Sequence, residues 1–577
     1  MGSVRIVHPI SEFDPNLLWQ AETCRYVSSA SGDDANDGLT QYTPMATIGA
    51  ANADLALDAG SPIPVTIYVA GGVYNEALVL GMTAGGQPIN VVAAPTETAW
   101  VIPPGGSVGI SIDNTAPGET SWTIQGLIVF TPNGADVGLV VDDALGAGGY
   151  QVRAYRCGIQ SDNGPIAASV VVDDDCALWA FDCWFDGNNA GSRGLSIGAG
   201  VVILVDTNID GEAGAVFLDN GEGMLLMYGG SISENSGDPA DWALEVVGGV
   251  AQLHGTIIGT MGDHAVRVQG GAPDEVTAGL YSCTVMGDGS SGPMFQVSDE
   301  DARLTIYDIP MLGNEGGDLF HLEDGGIVQC FSCGLFAFER VAYVEAVAKP
   351  DAQAIFVDCE LESEGNGNAN AVEVVGDGAA PMSASAMFYG YCSVRLNGGN
   401  GDALNLSDLA GAWIESAVIN DGGGGGADIS TDGTCFVALG PAPEIQQAGW
   451  TPAAGDTIFH ATPEDGLTIP FPEPVGPGTF DVLGDAAAPA EGVTYQNLRS
   501  YNTLACHFTT APTGTGNTLR ITNIDQVVSV TFTITNSRFQ EIAASGAFIL
   551  TPGDRLLVEI IVAGGNTSGS GYFVLKE

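Results

Sequence analysis

The sequence predicts an all-β protein, a right-handed parallel β-helix with a C-terminal antiparallel β-sandwich, and three observations carry that expectation. A short alternating strand recurs about every 26 residues between residues 120 and 420. No helical periodicity separates the copies, and Gly, Asp and Asn fill the turns. Gly accounts for 82 of 577 residues, with 45% hydrophobic and 15% charged. That balance belongs to buried strands joined by tight turns and excludes a disordered acidic chain.

The chain opens with a segment, residues 1–23, that has no apolar run. Residues 24–118 then carry a distinct signature. Cys24, Arg25, Tyr26 and Val27 precede an acidic loop, Gly32, Asp33, Asp34, Ala35, Asn36, Asp37 and Gly38. Thr43, Pro44, Met45, Ala46, Thr47 and Ile48 lead into an Ala-rich helix expected from about Pro44 to Ala59. Val65 to Val69 follows as a strand, and then Gly72, Val73, Tyr74, Asn75 and Glu76.

Residues 119–440 form the repeat. Residues 179–186, 203–210 and 355–362 are three copies of one strand, and a small residue in each aligns the rest. These anchors are Gly126, Cys157, Cys183, Thr207, Gly230, Thr256, Cys283, Ile309, Cys333, Cys359, Cys392 and Ser416. A second strand, exemplified by Leu195 to Gly198 and Val216 to Asn220, lies between successive anchors. Two strands per period of about 26 residues make one coil of a β-helix, where a propeller blade would need roughly 40–45 residues. Alternation along a strand then turns Phe181, Cys183 and Phe185 inward together. The eleven cysteines read as mostly reduced thiols, and the six at anchor positions as small apolar side chains filling a narrow lumen, against a disulfide or metal column as the alternative.

Residues 441–490 hold nine prolines and read as an extended connector. Residues 491–577 lose the period and read as six antiparallel strands of a small sandwich.

The cap motifs together with the repeats resemble the pectate-lyase-like right-handed parallel β-helix superfamily, of the viral tailspike and tail-fibre type. In that superfamily an Asp-Asn-Asp-Gly loop, a Thr-Pro-x-x-Thr-Ile helix start and a Gly-x-Tyr-x-Glu turn recur. The likeness covers residues 24 to about 440. It implies the fold, while activity varies across such folds from lyase and hydrolase to inert fibre. It further implies that residues 1–23 are a virion attachment segment, that the sandwich is a trimerising or receptor-contacting tip, and that the chain is a homotrimer.

Charge bounds the partners. Seventy Asp and Glu against fifteen Lys and Arg give a formal −55, which excludes capture of a nucleic-acid backbone. Acidic residues are spread along the whole length and lysine occurs only at Lys349 and Lys576, a pattern of adaptation to high salt. No stretch of 18 apolar residues predicts membrane insertion, and no apolar secretory segment is visible, so the expected setting is a virion surface supplied from the host cytoplasm.

Chemistry is expected on outward positions of the repeat. Asp182 and Asp206, and likewise Asp186 and Asp210, are one period apart and outward, with Trp184 and Asn208 between the two rows. An aromatic flanked by carboxylates suits a sugar ring, and paired carboxylates are the apparatus of glycoside cleavage. Asp173, Asp174 and Asp175 head an acidic ridge of the kind Ca²⁺ prefers, against a solvated ridge as the plain alternative. The expected function is host-surface attachment through a glycan or glycoprotein by a virion fibre or spike, with other virion proteins bound at its N-terminus. The alternative is a tailspike depolymerase cleaving a surface polysaccharide.

Overall fold

The structure, a computed structural model, describes residues 24–439 apart from short connecting segments and, beyond them, Ala453 and the strand residues between 444 and 576. The proposed attachment segment, residues 1–23, lies outside the described residues. The chain divides into two compact units at Val341 and Ala342.

In the first unit each rung from Val65 to Glu323 carries three strands, not two. Ala177–Phe181 belongs to a first sheet, Trp184–Gly187 to a second and Arg193–Ile197 to a third. Each pairs in parallel with its counterpart one rung on, Ala177–Phe181 with Val201–Val205 and Trp184–Gly187 with Asn208–Gly211. The second sheet runs through nine strands, from Gly72–Tyr74 to Thr284–Gly287.

The strand expected over residues 179–186 is therefore broken by a corner. Asp182 sits there at φ +53, and the same left-handed conformation recurs at Arg156, Asp206, Gly229, Gly255, Ser282, Asp308 and Ser332. One such residue resets the side-chain alternation. Leu178 and Ala180 point inward before the corner and Cys183 and Phe185 after it. Phe181 consequently faces outward, stacked on Tyr155 at 5.0 Å, contrary to the inward position that unbroken alternation assigns it.

Register also moves the two outermost anchors by one residue. Gly158 pairs with Ile128, so Leu127 occupies the place of Cys157, while Gly126 is itself the corner at φ +69. At the other end Val418 pairs with Ser393 and donates to the carbonyl of Cys392, which makes Ala417 the anchor. Ser416 lies outside the described residues. Leu127 and Ala417 are fully buried, as the lumen requires.

The lumen is packed by these columns. Leu178, Ala180, Phe185, Leu195 and Ile197 expose nothing, each larger side chain contributing on the order of 1.5–3 kcal/mol. The anchor thiols and hydroxyls add a tether across the corner. Cys183 Sγ donates to the Phe181 carbonyl at 3.4 Å, Thr207 Oγ1 to that of Val205 at 3.2 Å and Cys333 Sγ to that of Phe331 at 3.2 Å. Eight of the anchors, six Cys and two Thr, are small side chains with one donor, whereas Leu127, Gly230, Ile309 and Ala417 fill the same place without one.

The cap motifs converge on one helix, Ile48–Ala56, shorter than expected because Pro44 and Met45 are spent on the acidic loop and on a bridge to Val27. Thr47 is its N-cap and accepts from Ala50 N–H at 3.1 Å. Glu76 accepts from Ile48 and Gly49 N–H at 2.8 and 2.7 Å, and Asp34 from Ala46 and Thr47 N–H at 2.8 and 2.9 Å. Among the described residues no helix is long and apolar enough to cross a membrane.

The second unit repeats the parallel pattern. Ala352–Val357, Ala384–Tyr389, Gly411–Ile414, Phe436–Leu439 and Thr457–His460 pair in order, so solenoid pairing continues past residue 440 into the proline-rich stretch. Further on, pairing turns antiparallel, with Arg499–Phe508 beside Phe539–Leu550 and Asn517–Asn523 beside Val528–Ile534.

Candidate functional site

The second sheet holds the outward carboxylates and tryptophan on adjacent rungs. Phe185 and Ile209 are fully buried beneath it, which locks Trp184–Gly187 and Asn208–Gly211 in register. Trp184 stands beside Asn208 and Asp186 beside Asp210. Trp184 Nε1 donates to Asp210 Oδ2 at 2.9 Å, one rung on. On its other side a Cβ at Gly158, one rung back, would meet Cε3 of the indole at 3.5 Å. Contacts at both ends lay the ring along the sheet across three rungs with a face toward solvent, and Trp184 is 37% exposed. Asn208 is exposed as well, its side-chain carbonyl accepting from Ser231 Oγ at 2.8 Å.

Asp186 is half-buried, and its carboxyl is pushed up to about 6, first by burial and then by the charges of Asp210 and Glu212. Asp210 stands one rung on, about 4.8 Å along the sheet, so a carboxyl whose proton is held into mild acid, short of neutrality, lies beside a second carboxylate, a side-by-side pair of the kind used in glycoside chemistry. Glu212 is the member sequence reasoning missed. It follows Gly211 in a turn whose backbone donates back to Gly187 and Ser192, and only folding brings it to Asp186.

Asp182 and Asp206 do not join this group on the same strand. Both occupy the corner between first and second sheets, at φ +53 and +50. Asp182 pairs with Arg156 at 3.5 Å, with both side chains more than half exposed, an ion pair of little energetic weight. An aspartate tolerates the left-handed conformation better than most residues, and that accounts for both positions.

On the proposed calcium ridge, Asp174 lies outside the described residues. Asp173 Oδ1 accepts from Ala199 N–H at 3.0 Å, tying one rung to the next, and Asp175 is exposed at φ +56. A calcium ion takes six to eight oxygens. The two described carboxylates fit turn-capping better than such a cage.

Elsewhere aromatic rings form a ladder on the outward face of the first sheet, Tyr228, His254, Tyr281, Tyr307 and Phe331, with centroids 4.5–5.1 Å apart. Ring lies on ring, so only edges are presented. The open indole face at Trp184 differs in kind.

No protein-family model matches the chain, and no curated protein matches it. Among solved structures it is similar to the GH136 lacto-N-biosidase from Eubacterium ramulus, in both its native and selenomethionine forms. The likeness covers 76% of this chain and 68% of that one at 11% identity and a TM-score of 0.19. At that score it carries no argument about activity.

Proposed function

We propose that the chain is a fibre or spike protein of a virion surface, of the tailspike type, which attaches to the host by holding a surface glycan against Trp184. The observation that carries this reading is the indole lying along the second sheet with one face open, flanked by Asn208 and by the Asp186 and Asp210 carboxylates. Sugar rings stack on such a face while carboxylate and amide oxygens take their hydroxyl hydrogens. With a formal −55 on the chain and three carboxyl groups at the site, the favoured glycan is neutral or amino-bearing. In this reading three copies assemble, residues 1–23 bind other virion proteins, and the antiparallel strands after residue 491 pack as a sandwich tip. The test is binding of the full chain to host-surface glycans. Trp184→Ala should weaken binding at least tenfold without loss of secondary structure, and equal binding by the variant would refute the assignment.

A second reading, a depolymerase, is favoured by one observation, the half-buried Asp186 beside Asp210. It requires release of new reducing or unsaturated sugar ends that Asp186→Asn and Asp210→Asn each abolish. The attachment reading expects binding without release.

A further inference from the structure

Where does a chain this acidic tolerate contact with another copy of itself? Seventy of 577 residues are acidic, yet among the described residues of the first unit the outward positions of the first sheet, from Thr66 and Tyr68 to Ile327, Gln329 and Phe331, include no Asp or Glu. Two arginines, Arg153 and Arg303, are the charged side chains there. Between them the face is mainly apolar and carries no carboxylate, with Trp179 beside Ile203 beside Leu226 in one row and Val201 beside Met224 beside Val250 in another, and Gln252, His254 and Thr277 as its polar members. Carboxylates stand along its edge instead, at corners such as Asp182, Asp206 and Asp308.

From this charge map we infer that the outward face of the first sheet is the surface on which copies of this chain associate with one another. The inference rests on the reading above only in that copies assemble, and it leaves the Trp184 face free for glycan. Size agrees. Eleven strands spaced about 4.8 Å and roughly five residues wide give a face of ~50 by ~17 Å, near the ~800 Å² per partner of a standard interface. Electrostatics selects the occupant. Two chains that each carry −55 repel wherever carboxylate meets carboxylate, and here that term vanishes over the centre and is confined to a solvated rim. A basic partner would gain by meeting carboxylates and would have no use for a face without them, whereas a second copy, as acidic as the first, needs one.

Sedimentation velocity of the full chain tests this in moderate and molar salt. The wild type should sediment as a multiple of 59.0 kDa, three copies by the reading above, and associate more tightly as salt screens the rim. Ile203→Glu and Leu226→Glu should each weaken association at least a hundredfold, while Thr284→Glu, exposed on the second sheet, should leave it unchanged. A monomeric wild type, or variants that retain the wild-type mass, would overturn the inference. Should the variants misfold, oxidative footprinting of the wild type decides. Protection of Met224 and Trp179 that grows with protein concentration supports association between copies. Protection independent of concentration means that another segment of the same chain covers the face, and the inference falls. Soluble oligosaccharide binding by the dissociated variants separates the two ideas. Loss of mass with glycan binding kept supports both, whereas glycan never bound by any form removes the attachment reading and leaves the association face standing.

Discussion

Asp182 illustrates how a single residue decides local geometry. Its φ of +53 places it where glycine is at ease and β-branched residues are strained by roughly 1–2 kcal/mol. Equivalent rungs carry Gly229 and Gly255. Asp182→Gly should therefore leave the denaturation midpoint almost unchanged, whereas Asp182→Val should cost about 1–2 kcal/mol by equilibrium unfolding. Equal effects would show that the carboxylate, not the backbone, is what the corner needs. Asp186 answers to its surroundings in the opposite way. Its folded value, about 6, lies above the ordinary carboxylate value of 3.8, so the fold disfavours the charged form. The penalty is present above pH ~6 and is relieved as pH falls toward ~4. Asp186→Asn should accordingly melt higher than wild type at pH 7.5, with the difference closing near pH 4. Calorimetry at stepped pH reads this directly, and a gap independent of pH would contradict it.

At the scale of elements, the cap helix depends on a glutamate from another segment. Glu76 occupies two N–H groups in the first turn of Ile48–Ala56, although burial pushes its carboxyl above the ordinary value. Glu76→Ala should destabilise the cap by about 1–2 kcal/mol and speed amide exchange over residues 48–56 before the rungs are affected. Unchanged exchange there would deny the capping role. The recurring strands were legible in sequence because buried columns repeat the same side-chain sizes, and Trp184, Asp186, Asn208 and Asp210 were legible as outward by the same alternation. The third strand of each rung was hidden. A left-handed residue has no fixed identity, being Arg156, Asp182, Gly229 or Ser282 in successive rungs, so residues 179–186 read as one strand although the chain turns within them. Glu212 stayed out of sight for a related reason, since turns vary in length and carry no phase.

For the whole molecule, charge is the governing term. A formal −55 repels itself, and at molar ionic strength the screening length falls to about 3 Å. The melting temperature should climb steadily from dilute buffer to molar salt, and a flat profile would mean that the corner carboxylates are already neutralised by their neighbours. Length is distributed as unevenly as charge. From Tyr155 to Thr284 the first and second sheets are joined by two residues in each rung, whereas the second and third are joined by as few as three, after Thr260, or as many as seven, after Glu234. Lengthening a connection of this kind costs only about 0.6 kcal/mol per doubling. The edge that follows Gly187 and Gly211 can thus accept inserted peptide while the two-residue edge cannot, so new recognition loops can be grafted beside the tryptophan without disturbing a single rung.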